Sequence, residues 1–355
     1  MIDEADAPKA PTGSVYLVAH GLSNLIELAD SQRVTPVTGL SALPRPFLVS
    51  AVLAMVGTLA IACGGGGGGG GPTPDSQADG GPPRELTVVT TLPVFADFAR
   101  EAGGDRVEVF TILPDGLDPP LLELSGEDSE RVRSADVILF NGLELENTAE
   151  DLLFQHARRA APIFEYSRDV PSPTVEGLTA REARDNPYLW LDPILALTYM
   201  DTTWDTLAIA DGEATSIYQE NARRYGERLR ALDEEIAAKV EAIPPANRRL
   251  VAPHDSFFHL ANRYGLESVR LPTAVSTDQP SPHRIDQWAE LLREQQVPAI
   301  FVEPGPTAKV LTEAAQRAGV EVCTLYSDSL DEVVTTYIEM MTFNADELVR
   351  CLGGD

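Results

Sequence analysis

The chain has 355 residues, of which 43% are hydrophobic and 23% charged, and this composition is typical of a folded protein large enough for two domains. Its net charge of −28 comes from 55 acidic and 27 basic residues. A surface of this sign repels the phosphates of nucleic acids, so we expect no nucleic-acid partner. The acidity is more typical of solubility in a salty or acidic environment than of a role in gathering cations.

The first feature along the chain is an apolar segment that predicts export. Residues 47–62 lie between Arg45 and Cys63, and this stretch is shorter than the roughly 20 residues of a membrane span. The residues before Cys63, Ala60-Ile61-Ala62, resemble a bacterial lipobox, with the expected small residue at Ala62 and with Ala60 in place of the more usual leucine. We therefore expect a lipoprotein signal peptide over residues 45–63 and lipidation of Cys63. The alternative is an uncleaved N-terminal anchor, which also places the protein outside the cytoplasm, at the cell membrane.

The regions that flank the apolar segment do not have the composition of a core. Residues 1–44 are long and acidic where a signal peptide has a short basic stretch, so we interpret them as a non-native or disordered extension. A start at Val34 or Val37 would remove most of this extension. Residues 64–84 begin with an unbroken run of glycine and predict a flexible tether with a reach of roughly 25 Å.

From residue 85 onward strands and helices alternate, which predicts parallel sheets covered by helices. In the first series, strands are predicted at residues 86–90, 106–112 and 136–140, and helices at 94–102, 128–135 and 146–160. In the second series, strands are predicted at 250–252, 268–271, 299–302 and 320–325, and helices at 257–264, 282–296, 308–318 and 333–352.

A long amphipathic helix is predicted between the two series. From about residue 214 to residue 243 the chain contains no proline, and apolar residues recur at steps of three and four. A helix of about 30 residues spans roughly 45 Å and can connect two lobes while restricting their motion. The sequence thus predicts an α/β fold of two similar lobes, each a parallel sheet flanked by helices, joined by one long rigid helix. The expected boundaries are 85–212 for the N-terminal lobe, 213–244 for the linking helix and 245–355 for the C-terminal lobe.

Polar side chains follow several strands of the second series. Ligands of open α/β sheets bind at the carboxyl ends of the strands. His254, Glu303 and Asp328 each follow a predicted strand and are expected to converge at one edge. A histidine beside carboxylates suits a divalent metal ion. A histidine at a strand end is more often only hydrogen-bonded, so both interpretations stay open at this point.

Five motifs occur in order along residues 85–352. They are PDGLDPPLLE at 114–123, NPYLWLDP at 186–193, HDSF at 254–257, IFVEP at 300–304 and LYSDSL at 325–330. The first three resemble P-x-G-x-D-P-H-x-Y-E, D-P-H-x-W-L-D-P and H-x-A-F of the zinc- and manganese-binding receptors of bacterial ABC importers (cluster A-I), and the other two also fit that family. The resemblance implies two lobes joined by a rigid helix, a lipid anchor, and capture of a divalent zinc or manganese ion for delivery to an ABC permease. We expect such a receptor to act as a monomer.

The resemblance also implies four metal ligands, two from each lobe. The second-lobe pair corresponds to His254 and Asp328, whereas the first-lobe histidine positions hold Pro120 and Tyr188. Proline has no side-chain donor atom, and a tyrosine with its ordinary pKa near 10 is a poor ligand at neutral pH. The weaker candidates to complete the site are Tyr188, Glu123 and Glu303. Because ligands must be deprotonated, metal affinity should fall as His254 protonates.

The remaining cysteines and histidines have other expected roles. Cys323 and Cys351 can pair in a disulfide if the protein is exported, and some receptors of the family that the chain resembles have a disulfide in the second lobe. His259 lies in the helix after His254 and should point elsewhere. Trp190 is expected to line the cleft between the lobes. The histidines that we do not expect to bind metal are His20, His156, His259 and His283.

Two other classes of function compete with the metal receptor. A divergent receptor on the same scaffold would bind a metal chelate, a small organic ligand or a partner protein, because Pro120 and Tyr188 make the cleft more apolar. An enzyme is not expected, because the chain has neither a nucleophile-elbow motif nor an H-E-x-x-H helix.

Overall fold

Among the described residues, the first strand begins at Leu86. The computed structural model describes residues 85–113, 119, 123–175, 178–179, 181, 183, 185–271 and 282–353. The predicted extension, signal peptide, Cys63 and tether lie outside the described residues, as does Pro120. None of the helices in the described ranges combines the length and apolarity that a membrane crossing needs.

The first lobe is built on a four-stranded parallel sheet with the order β2-β1-β3-β4. Its strands are β1 (Leu86–Thr90), β2 (Val107–Thr111), β3 (Val137–Phe140) and β4 (Ile163–Glu165). Its helices are α1 (Pro93–Gly103), α2 (Gly126–Ser134) and α3 (Thr148–His156). Strands β1 and β3 are central and almost wholly buried, as their runs of Val, Ile and Leu require in a sheet covered by helices.

The next two helices form the connection between the lobes. Helix α4 (Pro193–Ala210) packs against α5 (Thr215–Glu241), which is 27 residues long and therefore spans roughly 40 Å. The apolar stripe of α5 is buried, which confirms the predicted long helix. Its buried members include Tyr218, Tyr225, Leu229, Leu232, Ile236 and Val240.

The second lobe contains two parallel strand pairs, and β5 lies beside β7. Its strands are β5 (Arg249–Ala252), β6 (Glu267–Arg270), β7 (Ala299–Val302) and β8 (Glu321–Thr324). Its helices are α6 (Phe258–Tyr264), α7 (Pro282–Gln295), α8 (Pro306–Ala318) and α9 (Tyr337–Leu352). A disulfide with an S–S distance of 2.00 Å joins Cys323 on β8 to Cys351 on α9.

Four differences separate this fold from the sequence-based expectation. Strand β4 and helix α4 were not predicted. Helix α4 is apolar on several sides, so it lacks a clear periodicity, but Asp192 as N-cap and Pro193 at its first turn are the signals that could have found it. The helix predicted at 146–160 ends at His156, before the chain turns into β4 at Ile163. The helix predicted at 333–352 begins only at Tyr337, since the Thr336 side chain caps it.

A continuous hydrophobic core extends from the first lobe into the second and encloses a buried carboxylate. Asp97 on α1 accepts hydrogen bonds from the Tyr225 hydroxyl of α5 at 3.1 Å and from the Tyr337 amide of α9 at 3.0 Å. Burial raises the pKa of Asp97 to about 6, even though both hydrogen bonds favour its charged form. Asp97 therefore ties the first lobe, the linking helix and the last helix together.

Replacing Asp97 by asparagine should reduce the pH dependence of stability. Because the pKa of about 6 in the folded protein exceeds the ordinary 3.8, the folded state binds this proton more tightly than the unfolded state does. The free energy of unfolding therefore falls as pH rises from about 4 to 7, by up to about 3 kcal/mol from this group. Asp97→Asn keeps an acceptor oxygen and has no charge. In urea unfolding, its free energy of unfolding should therefore increase relative to that of the wild type as pH rises. Asp105→Asn, at an exposed carboxylate, is the matched control. An unchanged pH slope in Asp97→Asn would contradict the assignment.

Candidate functional site

Residues 186–193, which we call the interlobe segment, are held at the carboxyl edge of the first sheet. Asn141 follows β3 and donates from Nδ2 to the Pro187 carbonyl at 3.0 Å, while its Oδ1 accepts from the Tyr199 hydroxyl at 2.7 Å. Asp192 accepts from the Ile194 amide at 2.8 Å and so caps α4. These contacts fix the backbone on both sides of Tyr188.

A second buried carboxylate, Glu146, supports the same edge of the sheet. It accepts hydrogen bonds from the Thr91 hydroxyl at 2.8 Å, the Asn141 amide at 2.7 Å and the Gly142 amide at 3.1 Å. Burial raises the pKa of Glu146 to about 7 against the effect of these donors. Since Thr91 follows β1 and Asn141 follows β3, Glu146 links the ends of the two central strands.

The second lobe contributes a histidine–carboxylate pair. His254 follows β5 and Glu303 follows β7, and the His254 Nε2 atom contacts Glu303 Oε2. Burial alone would raise the pKa of Glu303, but the His254 charge and hydrogen bond, with smaller contributions from the Ser327 and Ser256 hydroxyls, hold that pKa below its ordinary value. The other oxygen of Glu303, Oε1, is buried and has no hydrogen-bond partner of ordinary geometry among the described residues.

Tyr188 of the first lobe faces this pair. The Tyr188 and His254 ring centroids are 6.1 Å apart, and the Tyr188 and Trp190 centroids are 5.3 Å apart. Tyr188 is buried, whereas the His254 side chain is 37% exposed and can still be reached from solvent. The site therefore combines an aromatic wall from one lobe with a polar pair from the other.

Asp328 and Glu123 are the other candidate ligands. Asp328 follows β8 and is half-buried, and Glu123 is exposed in the first lobe. Across the described ranges, the only three His, Cys, Asp or Glu side chains with ligand atoms all within 4.8 Å are Glu321, Cys323 and Cys351. The sulfurs of that group are already joined in the disulfide, so it is not a metal site. Of the three residues expected to converge, the structure brings His254 and Glu303 into contact and leaves Asp328 outside such a compact group.

Hydrogen bonds of Asn186 connect the interlobe segment to the second lobe. Asn186 donates from Nδ2 to the Asp255 carbonyl at 2.7 Å, and its own carbonyl accepts from His259 Nε2 at 3.1 Å. Burial lowers the pKa of His259 to about 4, so the ring is neutral at pH 7 and Nε2 carries the proton. His259 thus points to the first lobe, a role that the sequence did not predict.

Trp190 makes the corresponding contacts at the other end of the segment. Its indole Nε1 donates to the Ser327 carbonyl at 2.6 Å, and its carbonyl accepts from the Tyr337 hydroxyl at 2.6 Å. Trp190 was expected to line the cleft, but its side chain is fully buried between the lobes. The sequence indicated these contacts only in that Trp190 and Tyr337 each carry a polar donor group, and a donor group alone does not identify its acceptor.

The two lobes, the long helix between them and a site at their interface define a substrate-binding protein. The chain belongs to the family described as zinc-uptake complex component A, periplasmic (ZnuA), whose model matches residues 88–351. This is a family of substrate-binding proteins and not of enzymes.

Several proteins of known name and structure are similar to this chain. The manganese-binding lipoprotein MntA of Bacillus subtilis is 30% identical over 76% of this chain and 90% of its own. The iron-binding protein YfeA of Yersinia pestis is 29% identical over 76% of this chain and 87% of its own. The structure of the periplasmic zinc-binding protein TroA of Treponema pallidum covers 76% of this chain and 100% of its own, with 28% identity and a TM-score of 0.67. These three relatives are named for three different metals, manganese, iron and zinc.

Removing the His254 imidazole should destabilise the protein through Glu303. His254→Ala leaves the half-buried Glu303 carboxylate without its main partner, which costs about 1–3 kcal/mol of unfolding free energy. The double variant His254→Ala/Glu303→Gln should recover part of this loss because it removes the unpaired charge. Chemical denaturation of the metal-free proteins measures both, with His283→Ala, at an exposed histidine, as a surface control. Equal stability of the single and double variants would rule out the coupling.

Proposed function

We propose that this protein is the extracytoplasmic receptor of an ABC importer and captures a divalent metal ion, zinc or manganese, between its lobes. The observation that carries the proposal is the meeting of Tyr188 from the first lobe with the His254–Glu303 pair of the second. Imidazole and carboxylate are the donors that zinc and manganese take up in proteins. Membership of a family of metal-binding receptors supports the same conclusion.

Each residue of the site has a defined part in this proposal. An ion inserted between His254 Nε2 and the Glu303 carboxylate would replace their direct contact by two metal–ligand bonds. Asp328 would supply a further oxygen ligand. Tyr188 shields the ion on the first-lobe side and is a weak phenol ligand at most, while Glu123 or water would complete the coordination shell.

The proposed partners are a membrane permease and the membrane itself. Lipidation of Cys63 would anchor the chain, and the glycine-rich tether at residues 64–84 would let the folded body approach a permease. The Cys323–Cys351 disulfide is in keeping with export, because such bonds persist in oxidising compartments.

Metal titration of the full chain tests the proposal directly. We expect the wild type to bind zinc or manganese in calorimetry, and His254→Ala and Asp328→Asn each to lose at least about tenfold in affinity, because each removes one ligand. His283→Ala, at an exposed histidine of α7, should bind as the wild type does. No binding tighter than millimolar by the wild type would sink the metal proposal.

Substitution of Tyr188 separates a metal ion from a larger ligand. Tyr188→His places an imidazole opposite His254, so it should raise metal affinity by roughly tenfold or more. Tyr188→Phe keeps the ring without the phenol oxygen and is the matched control, with an affinity close to that of the wild type. If the natural ligand is a metal chelate or a small organic molecule, Tyr188→His should weaken its binding. Native mass spectrometry of the purified protein would then show the larger bound mass.

A further inference from the structure

We propose that Asn186 and Trp190 are positioning residues that clamp the interlobe segment onto the second lobe and fix Tyr188 at a set distance from His254 and Asp328 before any metal binds. The parts that these three residues play in metal binding rest on the proposed function. The clamp itself rests on contacts that do not involve a metal.

The positions of the two hydrogen bonds carry the inference. Asn186 donates to the carbonyl of Asp255, the residue directly after His254, at 2.7 Å. Trp190 donates to the carbonyl of Ser327, the residue directly before Asp328, at 2.6 Å. Tyr188 lies midway between the two donors in sequence. Each donor thus holds the backbone next to one candidate ligand of the second lobe.

The chemistry of Asn186 makes its contact specific. Its Oδ1 accepts from the Tyr188 amide at 3.1 Å, its Nδ2 donates across to Asp255, and its carbonyl accepts from His259. An aspartate at this position could still accept from Tyr188, but it has no proton to donate and would set a charged oxygen against the Asp255 carbonyl. Only an amide side chain of this length satisfies both sides.

Trp190 is a rigid donor at the other end. Its side chain is fully buried, and its ring packs edge-on against Phe95 with the centroids 5.2 Å apart. Its carbonyl is held by the Tyr337 hydroxyl at 2.6 Å, and Tyr337 begins α9. Since the indole is confined by packing, its hydrogen bond to Ser327 cannot lengthen without moving the core.

A clamp of this kind prepares the site for its ligand. Without it, metal binding would have to bring Tyr188, His254 and Asp328 into register, and the ordering would lower the affinity. With it, the separation of the two halves is already set in the metal-free protein. The expected signature is therefore a loss of affinity when a donor is removed, even where global stability changes little.

Two conservative variants of the full chain test the clamp from opposite ends. Asn186→Asp removes the donor and keeps the acceptor for Tyr188, and Trp190→Phe removes the indole N–H and keeps an aromatic ring. In metal-free protein, hydrogen–deuterium exchange should become at least about threefold faster at residues 186–192 in both variants. It should rise at 254–261 in Asn186→Asp and at 325–330 in Trp190→Phe. Zinc or manganese affinity, measured by calorimetry, should fall roughly five- to tenfold in each, because metal binding must then supply the ordering that the hydrogen bond provided in the metal-free protein.

The matched control is Asn247→Asp, which breaks the same kind of bond inside the second lobe. Asn247 donates from Nδ2 to the Leu352 carbonyl at 2.9 Å. This variant should lower the unfolding midpoint without changing metal affinity or exchange at residues 186–192. Wild-type exchange in both test variants would overturn the clamp. Faster exchange with unchanged affinity would overturn the positioning role, because the contacts would then serve packing alone. A wild type that binds no metal refutes the proposed function, and the exchange results still decide whether the clamp exists.

Discussion

The arrangement of the whole molecule depends on how the buried carboxylate of Asp97 is satisfied. A charged oxygen in an apolar core is tolerated only when donors surround it, and the donors here come from α5 and α9. The Asp97 carboxylate therefore requires three elements from distant parts of the chain, α1, α5 and α9, to meet at a single point. The core that encloses it continues from the first sheet through the linking helix to α9, so the two lobes share this interior, and the second lobe has a further apolar cluster that includes residues of β7, α7 and α8. A rigid-body separation of the lobes would expose this core.

Much of the fold follows from local patterns in the sequence. Strands such as β1 and β3 consist of apolar and β-branched residues, and helix α5 has a regular stripe, so their positions were predicted to within a few residues. The failures have a common cause. Helix α4 is apolar on several sides because it packs on α1 as well as α5, and β4 has only three residues. Neither element has a hydrophobic periodicity long enough to be recognised from the sequence alone.

The site was predictable in part. The rule that ligands bind at strand ends placed His254 beside Glu303, and the motif order placed Tyr188 at the interface. The interlobe hydrogen bonds could not be predicted, because Asn186, His259 and Trp190 act through backbone carbonyls, and any residue offers a carbonyl. A sequence shows which donors exist, whereas the identity of the acceptor depends on tertiary packing. For the same reason, the position of Tyr188 depends on tertiary contacts that the sequence motif alone does not reveal.

The disulfide between β8 and α9 has a consequence for the entropy of the second lobe. Cys323 and Cys351 are 28 positions apart, and Asp328 lies in the loop that their bond closes. A closed loop of this length removes roughly 3–4 kcal/mol of chain entropy from the unfolded state. It also narrows the range that the segment around Asp328 can explore when local structure opens. Reduction of this disulfide would give the segment around Asp328 more conformational freedom, which a bound ligand would have to restrict. The affinity for a ligand would therefore depend on the redox conditions under which the chain folds.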